Sequence, residues 1–300
     1  MENKNVIRAY GMLLVTFFFW GSIYVATKYL SVEGLPSTVI VCARNLIGVV
    51  PLFFMARPYR GVKIAKEDIK YFVLVALLGY YGTFLINMLG VARAGASISA
   101  LINTVNPVTM ALLAAVILKE PIRKVQVVCI LLAVAGAYVV LAGAETGGQF
   151  FGLVLVLLSV LTWSVASVYI RLLGAKYPPV LITLYGMALS LVLHIPTAAV
   201  SVVRQGGLVL DGKSIMLLLY LGLLASGLAQ YLWSRALSIL PAATCSLFYP
   251  LQPTFSALLG VIFLGESLGA NFWLGMLIIG GDIVLNCLDG MKHQTADKGA

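Results

Sequence analysis

The sequence predicts an all-α integral membrane protein of ten transmembrane helices, built as two inverted five-helix repeats. Three observations predict it: apolar runs of spanning length from end to end, a self-match between the two halves, and a one-sided placement of basic residues. Of 300 residues, 61% are hydrophobic and only 10% charged, with mean hydropathy +1.02; a soluble domain carries about a quarter charged residues. A spanning helix needs roughly 20 apolar residues. Runs of that kind lie at about 8–30, 37–56, 70–91, 95–118, 124–142, 150–172, 179–203, 213–238, 242–264 and 270–288. Turn or charge signals separate them: Glu33-Gly34-Leu35-Pro36, the basic stretch Arg57 to Lys70, Lys119-Glu120-Pro121 and Gly147-Gly148. No loop has the length of a folded domain. The first run exceeds a signal-peptide core and no small-residue cleavage pattern follows, so it reads as a retained helix.

The self-match divides the chain into 1–145 and 146–300. At an offset of 143, Trp20 meets Trp163, Lys28 meets Arg171, Pro36 meets Pro179, Gly79 meets Gly222 and Asn87 meets Gln230. After a three-residue slip, Gly95 meets Pro241, Asn106-Pro107 meets Gln252-Pro253, and Glu120 meets Glu266. Five spans per repeat is an odd number, so the second copy enters the bilayer from the opposite side, which is the arrangement of many secondary transporters.

The net charge of +9 does not point to nucleic acid, because its distribution follows the bilayer. With a cytoplasmic N-terminus, Lys28, Arg93, Arg204 and Lys213 fall outside, Arg44 lies within a span, and the other 15 basic residues fall inside. Both termini are then cytoplasmic in a plasma membrane. Anionic lipid at the inner leaflet is a secondary contact. Cys42, Cys129, Cys245 and Cys287 lie in spans without metal-ligand spacing and read as small buried hydrophobes. No metal, cofactor or catalytic constellation is expected.

Trp20-Gly21-Ser22 ends helix one. Asn-Pro and Gln-Pro in helices four and nine are each followed by an apolar run closing on Leu118-Lys119-Glu120-Pro121 or Leu264-Gly265-Glu266-Ser267. Gly136 and Gly280-Gly281 follow in helices five and ten. In these residues the chain, over about 8–288, resembles the drug/metabolite transporter superfamily in its EamA-like branch. Leu-Lys-Glu in the first repeat departs from the usual Leu-Gly-Glu. The resemblance implies an alternating-access carrier. Its cavity is lined by helices one, three and four with their mates six, eight and nine, while helices five and ten brace the halves or a homodimer.

Helical spacing selects the candidate solute contacts. Tyr80, Phe84 and Asn87 share a face of helix three, matched by Gln230 in helix eight; Asn103 and Asn106 share one of helix four, matched by Tyr249 and Gln252 in helix nine; Trp20 and Tyr24 on helix one are matched by Trp163 on helix six. Two readings stand for the polar members, cavity lining or interhelical hydrogen bonding, and for the aromatics, cavity or interfacial belt. Pro107 and Pro253 free carbonyls inside helices or simply kink them. Arg44 lies seven residues into helix two, roughly 10 Å deep at the helical rise. A charge there costs about 2.5–3.5 kcal/mol to insert. It suits a carboxylate or phosphate, with snorkelling and carbonyl capping as alternatives. Asp282 in helix ten is the coupling candidate. His194 reads as a structural hydrogen-bonding residue or a proton relay. Glu120 and Glu266 read as helix-end residues, and Lys28 and Arg171 as snorkelling cations.

These residues favour a secondary carrier, an exporter, for a small metabolite such as an amino acid, with the lipid bilayer as its other partner. A quaternary ammonium held over aromatic rings is the alternative solute. A membrane enzyme lacks its His/Asp/Glu cluster or phosphate loop here, and a channel or scaffold is told apart by saturation and counterflow.

Overall fold

The computed structural model describes residues 2–94, 103, 105–122, 124–141, 150–264 and scattered positions between 270 and 285. All elements among them are helical. In chain order they are α1 (Glu2–Val32), α2 (Ser37–Met55), α3 (Ile69–Leu74, continued by Val75–Thr83 and Phe84–Ala94), α4 (Asn106–Ile117) and α5 (Lys124–Leu141). Then follow α6 (Phe150–Gly174), α7 (Pro179–Gln205), α8 (Gly212–Tyr220, continued by Leu221–Leu228 and Ala229–Ile239) and α9 (Ala242–Ser246 and Leu251–Leu264). Seven of the described helices are long and apolar enough to cross a membrane, and Asn106–Ile117 is a shorter apolar one. Most of the tenth run, Asp282 included, falls outside the described residues.

The helix ends follow the sequence signals. Pro36 precedes α2, and Pro178 precedes α7, which begins on Pro179; proline fixes φ without needing a donor there. Asp211 caps α8 by accepting from the Ser214 N–H at 2.8 Å. Gly34 (φ +86°) and Gly206 (φ +81°) end α1 and α7 in the left-handed region. Lys119 adopts φ +56° after α4, the conformation that the glycine usual in the family takes without strain. Turning there lets Glu120 reach across to the other half.

The Asn-Pro and Gln-Pro pairs differ from the expectation of kinks inside continuous helices. Pro107 lies in the first turn of α4, with Val105 in the turn before it. Residues 247–250 form a turn in α9, so Pro253 lies in the first turn of Leu251–Leu264. Proline disfavours helix in the residue before it and fits a first turn, so it starts a segment where periodicity alone reads one rod.

The halves interlock. α1 packs on α8 and α9; α6 packs on α3 and α4; α2 packs on α7 and on the middle of α8, and α7 on the middle of α3. Lipid is as apolar as leucine, so packing and polar links rather than hydrophobicity hold such helices together. At Gly48 an added Cβ would lie 2.9 Å from the Gly222 carbonyl oxygen and 3.0 Å from Gly227 N, so α2 and α8 touch backbone to backbone. Paired hydroxyls supply cross-links, among them Thr183–Ser234 at 2.8 Å, Thr109–Ser164 at 2.7 Å and Thr83–Thr162 at 2.9 Å.

Two stretches leave the α register, Val75–Thr83 in α3 and Leu221–Leu228 in α8, both π-helical. They contain Gly79 and Gly222, which are equivalent in the self-match. A π turn widens the helix by about one residue and is frequent at functional positions. It also shifts every face counted across it at the regular spacing.

Candidate functional site

Where α1, α3, α6, α8 and α9 meet, six aromatic side chains form one group. Trp20 and Trp163 meet edge to face at 5.8 Å between ring centroids; Trp20 and Trp233 lie 5.4 Å apart, Trp233 and Tyr249 5.6 Å, Phe17 and Tyr249 5.0 Å, and Tyr80 and Trp163 6.1 Å. All are buried, so none serves as an interfacial belt residue. Each such pair contributes about 0.5–1.5 kcal/mol beyond area burial. The Trp163 indole donates to the Tyr249 hydroxyl. The Trp20 and Trp233 indole nitrogens and Gln230 Oε1 are buried with no hydrogen-bond partner among the described residues. An unmet buried polar group costs about 1–3 kcal/mol.

Phe84 joins this group to a charged layer. Its ring lies 6.2 Å from Trp163 on one side, and on the other the Arg44 guanidinium carbon stands 4.5 Å from its centroid. Arg44 is 5% exposed, so it does not snorkel, and its Nε has no partner among the described residues. Tyr24 lies beside it and accepts from Asn103 Nδ2 at 3.4 Å. A crevice of about 10 Å³, room for a single water centre, opens next to Phe84 between Thr38, Leu85 and His194. His194 contacts the Tyr80 carbonyl at 3.0 Å through Nε2, the structural bond considered for it.

The remaining candidates fall on the seams between helices. Asn106 donates to the Asn103 carbonyl at 2.9 Å and accepts from Ser164 at 3.4 Å. Gln252 is half-buried, and its carbonyl lies against Gly21, where an added Cβ would come within 2.9 Å; Gly21 is the sequence mate of Ser164. Asn87 donates to Ser159 on α6 at 3.1 Å. Tyr80, Phe84 and Asn87 all face α6, the first two at Trp163 and Asn87 at Ser159 one turn before it. The structure brings together Trp20, Tyr80, Phe84, Trp163 and Tyr249, with Gln230 one turn before Trp233 on α8, Tyr24, Arg44 and Asn103 one layer away, and Asn87 on the α3–α6 seam.

Two features escaped the sequence reading. Trp233, fully buried at the middle of the aromatic group, stands outside the candidates the sequence selected; its position three residues after Gln230, on the same helical face, is the signal that places it. Arg171 does not snorkel. It donates from Nε to Glu120 at 3.0 Å and from Nη1 to the Leu237 carbonyl at 2.9 Å, and Glu120 also accepts from the Ala242 N–H at 3.0 Å.

Among the described residues every element is helical and seven helices are long and apolar enough to cross a membrane, which defines a multi-pass membrane protein. The family relationship is direct. The EamA-like transporter family matches residues 7–142 and again 150–287, and the chain belongs to that family. An uncharacterized transporter of Clostridium kluyveri is 25% identical over 97% of this chain and 96% of its own length. The uncharacterized transporter YetK of Bacillus subtilis is 27% identical over 94% of this chain and 87% of its own. A protein of known crystal structure shares the fold with a TM-score of 0.75 at 20% identity, covering 94% of this chain and 98% of that one.

Proposed function

We propose that this transporter is a secondary carrier that exports a small zwitterionic metabolite, an amino acid, by alternating access about an axis relating two inverted five-helix repeats, 1–145 and 146–300. The basic end faces the cytoplasm of a cell whose plasma membrane it spans ten times.

The observation that carries the reading is the continuity from Arg44 through Phe84 to the aromatic group. Along it lie the buried Arg44 guanidinium, two buried indole N–H groups and ring faces, and Gln230 Oε1 lies one turn before Trp233; Arg44 Nε, both indoles and that oxygen have no partner among the described residues. These complement a solute bearing a carboxylate, an ammonium and an apolar body. Donors meet the carboxylate, Gln230 Oε1 accepts from the ammonium, and the rings cover the rest. A quaternary ammonium uses the rings alone, but Arg44 stands 4.5 Å from the Phe84 centroid and repels a cation on that side. The repeat mates Trp20 and Trp163 meet at this centre from opposite halves, as a two-sided site requires.

Counterflow in proteoliposomes is the test. Liposomes loaded with unlabelled neutral amino acids should accumulate the labelled species transiently, saturably and in exchange. Equal movement of amino acids and simple amines without saturation would sink the reading in favour of a channel.

A further inference from the structure

The end of the molecule carrying residues 57–68, 119–122 and 171–178 is closed by two charged clasps. Each ties one half of the chain to the other. In the first, Glu120, just past α4, gives one oxygen to Arg171 of α6 and the other to the first N–H of α9, while Arg171 holds the last carbonyls of α8 through Leu237. In the second, Asp68, just before α3, accepts from the Tyr177 hydroxyl at 2.7 Å and from Lys176 Nζ at 3.1 and 3.2 Å. The same hydroxyl accepts from the Ala65 N–H at 3.1 Å. At the opposite end the described cross-half links are neutral: Thr38 to Ser201 at 2.7 Å and Gln205 to the Gly34 carbonyl at 2.6 Å. Hydrogen bonds to charged groups are stronger than neutral ones, so each clasp joins the halves by the stronger kind of bond.

We infer that these two clasps are the releasable gate on the basic side of the aromatic site, shut when that site faces the opposite side and parted when it opens here. The inference rests on the alternating-access reading. A brace has no need to part. The Glu120–Arg171 pair, however, joins the ends of the very helices that carry Asn106, Trp163, Trp233 and Tyr249. Arg171 is two turns beyond Trp163 on α6, about 12 Å along the axis, so separating the pair uncovers the site from this end. Its side chains keep 24% and 19% exposure. Water can therefore take over their bonds as the helices separate, which lets a strong pair act as a reversible latch. Lys119, held at φ +56°, aims Glu120 across the seam rather than along its own helix.

Native Cys245 is the reporter. It is fully buried in the short first segment of α9, one turn beyond the N–H that Glu120 holds. In the full chain, with Cys42, Cys129 and Cys287 replaced by alanine, a membrane-impermeant maleimide added from the basic side should label Cys245 slowly. E120Q and R171Q should each raise that rate about tenfold or more, the loss of one charged bond, and D68N should raise it further in combination. R171K, which keeps a charged donor to Glu120, should stay closer to the parent. An amino acid added from the opposite side should speed labelling in the parent. Unchanged rates in both single variants overturn the gate. So does a rise that tracks a fall in melting temperature and is equally large in R171K, since that is a static brace. Labelling that responds as expected in a protein without counterflow upholds the gate and fails the carrier reading; counterflow with labelling indifferent to the clasps does the reverse.

Discussion

Replacing Arg44 by methionine separates what this residue costs the fold from what it gives the solute. In the structure it is 5% exposed, with its guanidinium over Phe84 and its Nε unpartnered among the described residues. Inserting an arginine at such depth costs about 2.5–3.5 kcal/mol, and a desolvated cation–π contact returns about 0.5–2. The residue therefore burdens the solute-free protein by about 0.5–3 kcal/mol on these scales. Methionine fills similar space without charge, so R44M should melt at the parent temperature or above it. Its solute should suffer. Loss of a charged hydrogen bond to a carboxylate, about 1.5–3 kcal/mol, weakens binding roughly 10- to 150-fold. The corresponding decarboxylated amine, which never used the guanidinium, should bind the parent and R44M alike. R44K keeps the charge but loses the planar fork and its stacking, and should fall between. Melting curves of purified protein and titration calorimetry with an amino acid and its amine give both quantities. A large drop in melting temperature, or equal weakening for acid and amine, refutes the reasoning and makes Arg44 a structural residue.

Two further outcomes follow from the basic end. Lys119 sits in the left-handed region at a cost of about 1 kcal/mol that glycine does not bear, partly offset by glycine's greater freedom in the unfolded chain. K119G should therefore raise the melting temperature slightly and a β-branched K119V should lower it; the reverse order refutes the strain. The Tyr177 hydroxyl, with Lys176, holds the Asp68 carboxyl below the usual carboxylate range, and Asp68 holds Lys176 above the usual ammonium range. A lowered carboxyl stabilises fully above its unfolded value, about pH 4, and that stability is lost as pH falls through the folded value. The parent's melting temperature should thus fall between about pH 5 and 3 more steeply than that of D68N, and parallel curves refute the bond.

Much of the architecture was legible because a membrane imposes it on composition. Apolar runs, proline and glycine punctuation and the 143-residue self-match announce where helices begin and which positions correspond. They pointed to Trp20 and Trp163 as a pair, and the two rings meet. The self-match also aligned Gly79 with Gly222, although nothing in periodicity tells that both lie in π-helical stretches. Nor does spacing tell that Asn87 finds its partner in Ser159, one turn from the Trp163 that Tyr80 meets.

The sequence by itself determined the class of protein, the helix punctuation and the residue types available for chemistry, since transfer to lipid and the pairing of repeats act on local composition. Only the tertiary structure decided which polar atoms find partners. Glu120 and Arg171 are 51 residues apart and Trp233 lies 213 residues after Trp20; no spacing rule connects them, because their meeting depends on how whole helices cross. Arg44 carries the same lesson. The sequence shows a charge within a span, but burial against Phe84 rather than escape to the surface is set by the close approach of α2 to α8 at Gly48, Gly222 and Gly227.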